Sequence, residues 1–112
     1  MAEEDQQDLY LLQHRAYTVL GQMLERMHRE NLPAITWTIP SSNAGAILAG
    51  QCEATDPIQR QNDFEAWCEA LGAEPWPGGI RSNSGVRLSA SVADLYEGVT
   101  VTLAAFISND ET

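Results

Sequence analysis

The sequence contains no lysine. Its six basic residues are all arginines, set against sixteen acids, for a net charge of −10. The absence excludes lysine Schiff-base and lysine general-base chemistry. The negative surplus disfavours non-specific attraction to nucleic acid or anionic membrane, which carry the same sign, and favours solubility. Cysteine is also scarce: Cys52 and Cys68 stand alone, separated by fifteen residues. That spacing is neither a CxxC pair nor a disulfide framework. No run of about 18 apolar residues suits a membrane span. The opening MAEEDQQDLY lacks the basic and apolar regions of a secretory signal. A cytoplasmic, thiol-reduced setting is therefore expected.

What remains is sufficient for one domain. The chain has 112 residues, 44% of them apolar, and a domain of that size buries roughly 65% of the surface its unfolded chain exposes. A single domain over 1–112 is expected, with residues 1–5 and 108–112 frayed.

The first helix is predicted over residues 6–30. Leu9, Leu12, Ala16, Val19, Met23 and Met27 recur at three- and four-residue steps, and Tyr10, Tyr17, Leu20 and Leu24 form a second stripe beside them. The combined arc is wider than one surface helix needs. Arg26, His28 and Arg29 suit the last turn, and Pro33 the stop. Gly21 interrupts the helix at a cost of about 1 kcal/mol against Ala, which predicts close packing against another backbone, or a kink.

Alternation follows. Ile35, Trp37 and Ile39 oppose Thr36 and Thr38 in a predicted half-buried strand, residues 40–45 read as a turn, and 46–52 as a returning strand. Asp56 is placed to cap a second helix, with Pro57 at its first position and Gln59 completing a capping box. Ile58, Phe64, Trp67, Cys68 and Leu71 are its expected apolar face, and Gly72 its left-handed stop. Residues 73–85, with two prolines and three glycines, read as a loop. Residues 86–93 and 99–107 alternate again, joined by a turn at Glu97-Gly98. The order α-β-β-α-β-β predicts an α+β fold: a four-stranded antiparallel sheet with two helices on one face. A duplicated αββ unit fits this order, but no residues match between the halves.

Three patches, Leu32-Pro33-Ala34-Ile35-Thr36-Trp37, Phe64-Glu65-Ala66-Trp67 and Ala70-Leu71-Gly72, resemble small uncharacterised proteins common in actinobacteria, across roughly residues 9–107. The resemblance implies a bacterial, cytoplasmic protein from a high-GC genome, which agrees with the missing lysine. It implies no activity, ligand or functional residue.

No catalytic, metal or nucleotide signature emerges from the residues. His14 and His28 share the first helix but stand roughly 21 Å apart along it, too far to share a metal. Cys52 and Cys68 are expected to be buried, and Cys68 lies at the wrong end of its helix for a reactive thiolate, beside Glu65 and Glu69. Those two carboxylates read as a solvated pair. Ser82, Ser84, Ser89 and Ser91 lack a GxSxG elbow or a partner base. Pro77-Gly78-Gly79-Ile80-Arg81 lacks the phosphate-binding GxxxxGK[ST] pattern. No cofactor is expected.

Two features stand out. Trp76 lies between Pro75 and Pro77; it is expected to fold back as a lid on the core, and would anchor an interface if exposed. The first helix, about 37 Å long, matches the about 34 Å diameter expected from a radius of gyration near 13 Å. Its wide arc predicts leftover apolar surface for self-association or a partner. The candidate interface is Leu12, Val19, Met23, Met27 and Trp76. The expected function is a non-enzymatic protein-interaction or regulatory module, homodimeric through the first helix. One alternative is a small-ligand-binding or enzymatic domain with a pocket between sheet and helices, using Trp37, Trp67 and Tyr17. Another is an acidic decoy for a DNA-binding protein. Direct nucleic-acid binding is disfavoured, because acids outnumber Arg15, Arg26, Arg29, Arg81 and Arg87.

Overall fold

Helical spacing gives way to alternation twice along the chain, and each change marks an element boundary. The computed structural model describes residues 2–40, 45–96 and 98–111, of which 2–7, 94–96 and 111 are described as backbone only. The elements run α1 (Ala2–Glu30), β1 (Thr36–Thr38), β2 (Ala46–Cys52), α2 (Pro57–Leu71), β3 (Ile80–Ser82), β4 (Gly85–Tyr96) and β5 (Val99–Ser108), then a short 3-10 turn (Asn109–Glu111). Residues 2–5 and 108–111, expected to fray, thus belong to regular elements. The Asn109 N–H donates to Ser84 O at 2.9 Å, which ties the C-terminal end to the β3–β4 turn. The predicted turn at 40–45 falls mostly on 41–44, and the second turn includes Glu97; both lie outside the described residues.

The α+β class is present, but the sheet is five-stranded and mixed, in the order β1-β2-β5-β4-β3. β1 and β2 form an antiparallel hairpin, and β3, β4 and β5 form an antiparallel meander. The two units meet through β2 and β5, which run parallel from Ala46↔Val99 to Cys52↔Ala105. Short turns dictate antiparallel partners only within each unit. Between units the choice falls to burial: β5, whose Val99, Val101, Leu103 and Ala105 are all buried, takes the centre, where both its edges are paired. β3 was hidden in the expected loop because all three of its residues are exposed and carry no alternation.

Cross-strand rows build the covered face: Leu48, Val101 and Val92; Gly50, Leu103 and Ala90; Cys52, Ala105 and Leu88. Both helices pack on this face, α1 chiefly over β2 and α2 over β5. The molecule measures 49 × 36 × 22 Å with a radius of gyration of 15.1 Å. Its thin dimension is that of two layers, and its long one is close to the ~43 Å of a 29-residue helix.

Gly50 is a close-approach position. A Cβ there would lie 2.8 Å from Trp37 Cζ3 and 2.9 Å from Ile35 Cδ1. The gap lets the Trp37 ring lie over the sheet and meet Trp67 of α2 edge-on, with centroids 5.2 Å apart at 84°. Trp67 Nε1–H donates to Pro33 O at 2.7 Å, binding α2 to the entry of β1. Trp37 Nε1 is buried without a partner among the described residues.

α2 starts as expected, with Asp56 as cap and Pro57 in the first turn, and ends at Gly72 with φ 68°. Two details differ. Gln59 does not close a capping box; its amide donates to Asp63 Oδ1 at 2.6 Å and so satisfies a buried carboxylate. Ile58 is 69% exposed rather than part of the apolar face. α1 ends at Asn31, φ 54°, where Leu32 N–H donates to Met27 O at 2.9 Å in the left-handed stop common at helix ends.

Candidate functional site

Burial decides the chemistry of the two cysteines. Cys52 and Cys68 are both buried and free. Burial, then the negative charge of Asp63 and the neighbouring Cys68, pushes the Cys52 thiol up to about 12. Burial and then Glu65 push Cys68 up to about 11. Thiols held this far above neutrality stay protonated, and a protonated thiol is a poor nucleophile. His14 and His28 are exposed on α1. Among the described residues no group of three or more His, Cys, Asp or Glu could hold a metal, and no helix is long and apolar enough to cross a membrane.

Arg60 looks like a binding group by residue type but performs a structural task. Its guanidinium donates to the carbonyls of Ala54 at 2.8 Å, Thr55 at 3.1 Å and Phe106 at 2.7 Å. It thereby joins the start of α2 to the ends of β2 and β5, and forms one wall of a shallow pocket of about 270 Å³ with Gln51, Cys52, Glu53 and Phe106.

The aromatics proposed to line an internal pocket do not assemble. Trp37 and Trp67 pack on one another between sheet and helix, filling the space themselves, while Tyr17 lies exposed on α1.

α1 is where apolar surface remains uncovered. Ala16, Val19 and Met23 are fully buried against the sheet, with Leu12, Leu20 and Met27 packed around them. Four of the five candidate interface residues, Leu12, Val19, Met23 and Met27, therefore face inward, and Val19 and Met23 have no surface to offer a partner. The small Ala16 and Val19 let the helix backbone approach the strands closely, and Met23 fills the space beside them. Of the second stripe, Leu20 packs inward and three residues stay outside: Tyr10 is 62%, Tyr17 63% and Leu24 45% exposed. They recur every seven residues, a spacing that drifts only about 20° around a helix. His14 sits between the two tyrosine rings, with centroids 6.0 and 5.9 Å away. Gly21 lies between Tyr17 and Leu24, and a Cβ there would meet no atom within 4 Å. Among the described residues there is thus no backbone packed against Gly21 of the kind that was expected. Tyr10, Gln13, His14 and Tyr17 form, with Ile39 beyond β1, an open cleft of about 380 Å³. The second stripe was visible as spacing; which stripe faced the sheet was not.

A smaller patch lies on the sheet's other face, which carries no helix. Register places Thr36, Thr38, Ile47, Ala49, Gln51, Ser89, Ser91, Thr100, Thr102 and Ala104 there, none of them acidic despite the acid-rich chain. One row of it, Ile80, Arg87 and Phe106, is exposed. Trp76 stands at the same edge, its N–H donating to Ser89 O at 2.8 Å. At 64% exposure it is not the expected lid; the backbone bridge of Pro75 to Ala90 holds this segment along β4, away from the core.

No protein-family model, curated protein or solved structure matches this chain.

Proposed function

We propose that this chain is a non-enzymatic protein-interaction module that pairs with a second copy of itself through the outer face of α1. One observation carries the reading: Tyr10, Tyr17 and Leu24 form a straight apolar stripe on a helix whose opposite stripe already satisfies the core. Large side chains left in water in a line, beside an open cleft, are the signature of an interface. Protonated thiols and the dispersed histidines support a binding role over a catalytic one.

Sedimentation velocity over a concentration series tests it. The wild-type chain is expected to dimerise with a dissociation constant on the order of micromolar, as suits an interface at the small end of the range. Tyr17→Asp places a charge in the stripe's centre and is expected to leave a monomer at every concentration, with an unchanged circular dichroism spectrum. A wild-type chain that stays monomeric at several hundred micromolar ends the proposal. The cleft beside Ile39 favours a second reading in that case, a site for a small aromatic or apolar ligand, which a thermal-shift screen would detect as reproducible stabilisation.

A further inference from the structure

We infer that the second copy lies antiparallel to the first, with Tyr17 on the twofold axis; this rests on the proposed α1 interface and specifies its geometry. The spacing of the stripe supplies the first argument. Tyr10 and Leu24 each stand seven residues from Tyr17. Two antiparallel helices crossing at Tyr17 bring Tyr10 of each copy opposite Leu24 of the other, and Tyr17 opposite itself. Such an isologous contact closes on itself and leaves no unpaired half.

Side-chain size supplies the second. The N-terminal half of the stripe is bulky, with Tyr10, His14 and Tyr17 in ring contact. The C-terminal half is narrow, with Gly21 opening a gap that none of the described residues fills. Antiparallel packing sets the bulky half of one helix against the narrow half of the other. The second copy's Gly21 and Leu24 then lie over the cleft walled by Tyr10, His14, Tyr17 and Ile39. Parallel packing would stack Tyr10 on Tyr10 and leave the two Gly21 positions facing across a void. A glycine inside a helix weakens it, and a helix crossing provides a reason for one here.

Charge supplies the third. The first eight residues contain Glu3, Glu4, Asp5 and Asp8 and no base. The last six residues of α1 contain Glu25 and Glu30 balanced by Arg26 and Arg29, with the Arg29 side chain 71% exposed. A parallel pair would set four acids beside four acids in a chain of net charge −10. The antiparallel pair sets them beside a balanced end and also opposes the two helix dipoles. Contact area is consistent with a small dimer. From typical side-chain areas, the exposed parts of Tyr10, Tyr17 and Leu24 supply roughly 400 Å² per copy, about half of the ~800 Å² per partner in a standard interface, with the cleft walls contributing more.

Spin labels test the geometry. Asp8→Cys, Gln22→Cys and Arg29→Cys each place one label at an exposed position, while the buried, protonated Cys52 and Cys68 are expected to leave wild-type protein unlabelled at neutral pH. At 1.5 Å per residue, an antiparallel pair centred on Tyr17 separates the two labels along the axis by about 27 Å at residue 8, about 15 Å at residue 22 and about 36 Å at residue 29. Pulsed dipolar spectroscopy is expected to show that rank order. Equal short distances at all three positions would mean a parallel pair and overturn the inference. So would a dimer whose distances do not shorten toward residue 17, even though self-association itself would stand. Absence of dipolar coupling together with a monomeric sedimentation profile would remove the α1 interface, and this inference with it.

Discussion

α2 is about half as long as α1 yet far better anchored. Of its fifteen residues, Asp63, Phe64, Trp67, Cys68 and Leu71 are buried. In twenty-nine-residue α1, only Ala16, Val19 and Met23 are buried among the described side chains. α2 also has a side-chain cap at one end and a left-handed glycine at the other. Helical stability in a folded chain comes mainly from packing of one face, so length and anchorage are separable quantities. α2 fastens the two strand units together. α1 meets the sheet through a narrow inner stripe and keeps Tyr10, Tyr17 and Leu24 exposed, and that surplus is the ground of the proposed pairing.

Mutation can sharpen the contrast, beginning with the largest expected effect. Trp67→Ala removes the side chain that packs on Trp37 and holds Pro33; a loss of about 3–5 kcal/mol is expected in chemical denaturation. If Leu24→Ala on the outer stripe cost as much in the monomer, the distinction between the helices would collapse. The next effect is alkaline. Both thiols lie where α2 covers the sheet, and burial holds their protons well above the ordinary 9.0, to about 12 and about 11. The unfolded chain therefore releases these protons first as pH rises. Their contribution is complete below about pH 9 and is lost progressively toward pH 11–12, at a rate of up to about 1.4 kcal/mol per pH unit for each thiol. Denaturation midpoints of wild type should fall more steeply across that window than those of a Cys52→Ala/Cys68→Ala variant; equal slopes would refute the burial argument.

Two glycines give the finest comparison. Gly50→Ala drives a methyl into the Trp37 and Ile35 side chains at under 3.0 Å and is expected to cost about 1–3 kcal/mol by overpacking. Gly21→Ala points into open space and is expected to stabilise the dilute monomer by up to about 1 kcal/mol through helix propensity. Thermal melts at low concentration read both. A destabilising Gly21→Ala under those conditions would show that residue 21 packs within its own chain.

How legible these features were depended on their physical range. Asp56-Pro57 and Gly72 act through neighbouring backbone groups, and α2 begins and ends where they predict. Alternation in 46–52, 86–92 and 99–107 reflects a sheet covered on one side, and those strands are present. Gln59 was misassigned because its best acceptor, Asp63, becomes buried only when the sheet is in place. Ile58 stays 69% exposed, so its hydrophobicity went largely unused. Trp76 was expected inside on hydrophobicity alone, and a bridge between Pro75 and Ala90, remote in sequence, holds its segment at the sheet edge. The four candidate residues on α1, Leu12, Val19, Met23 and Met27, lie on the stripe that packs inward, since spacing identifies stripes and not the side each one faces.

By itself, then, the sequence determined the two helices, both ends of α2, the C-terminal end of α1 and the alternating strands, because spacing, caps and turn residues act over a few positions of chain. Tertiary structure alone decided that β5 would pair parallel with β2, that residues 80–82 would extend the sheet, and that Tyr10, Tyr17 and Leu24 would remain in water. Each of those outcomes is a competition between surfaces far apart along the chain for a limited buried area: Ala16, Val19 and Met23 take the ground over the strands, and Tyr10, Tyr17 and Leu24 are left outside.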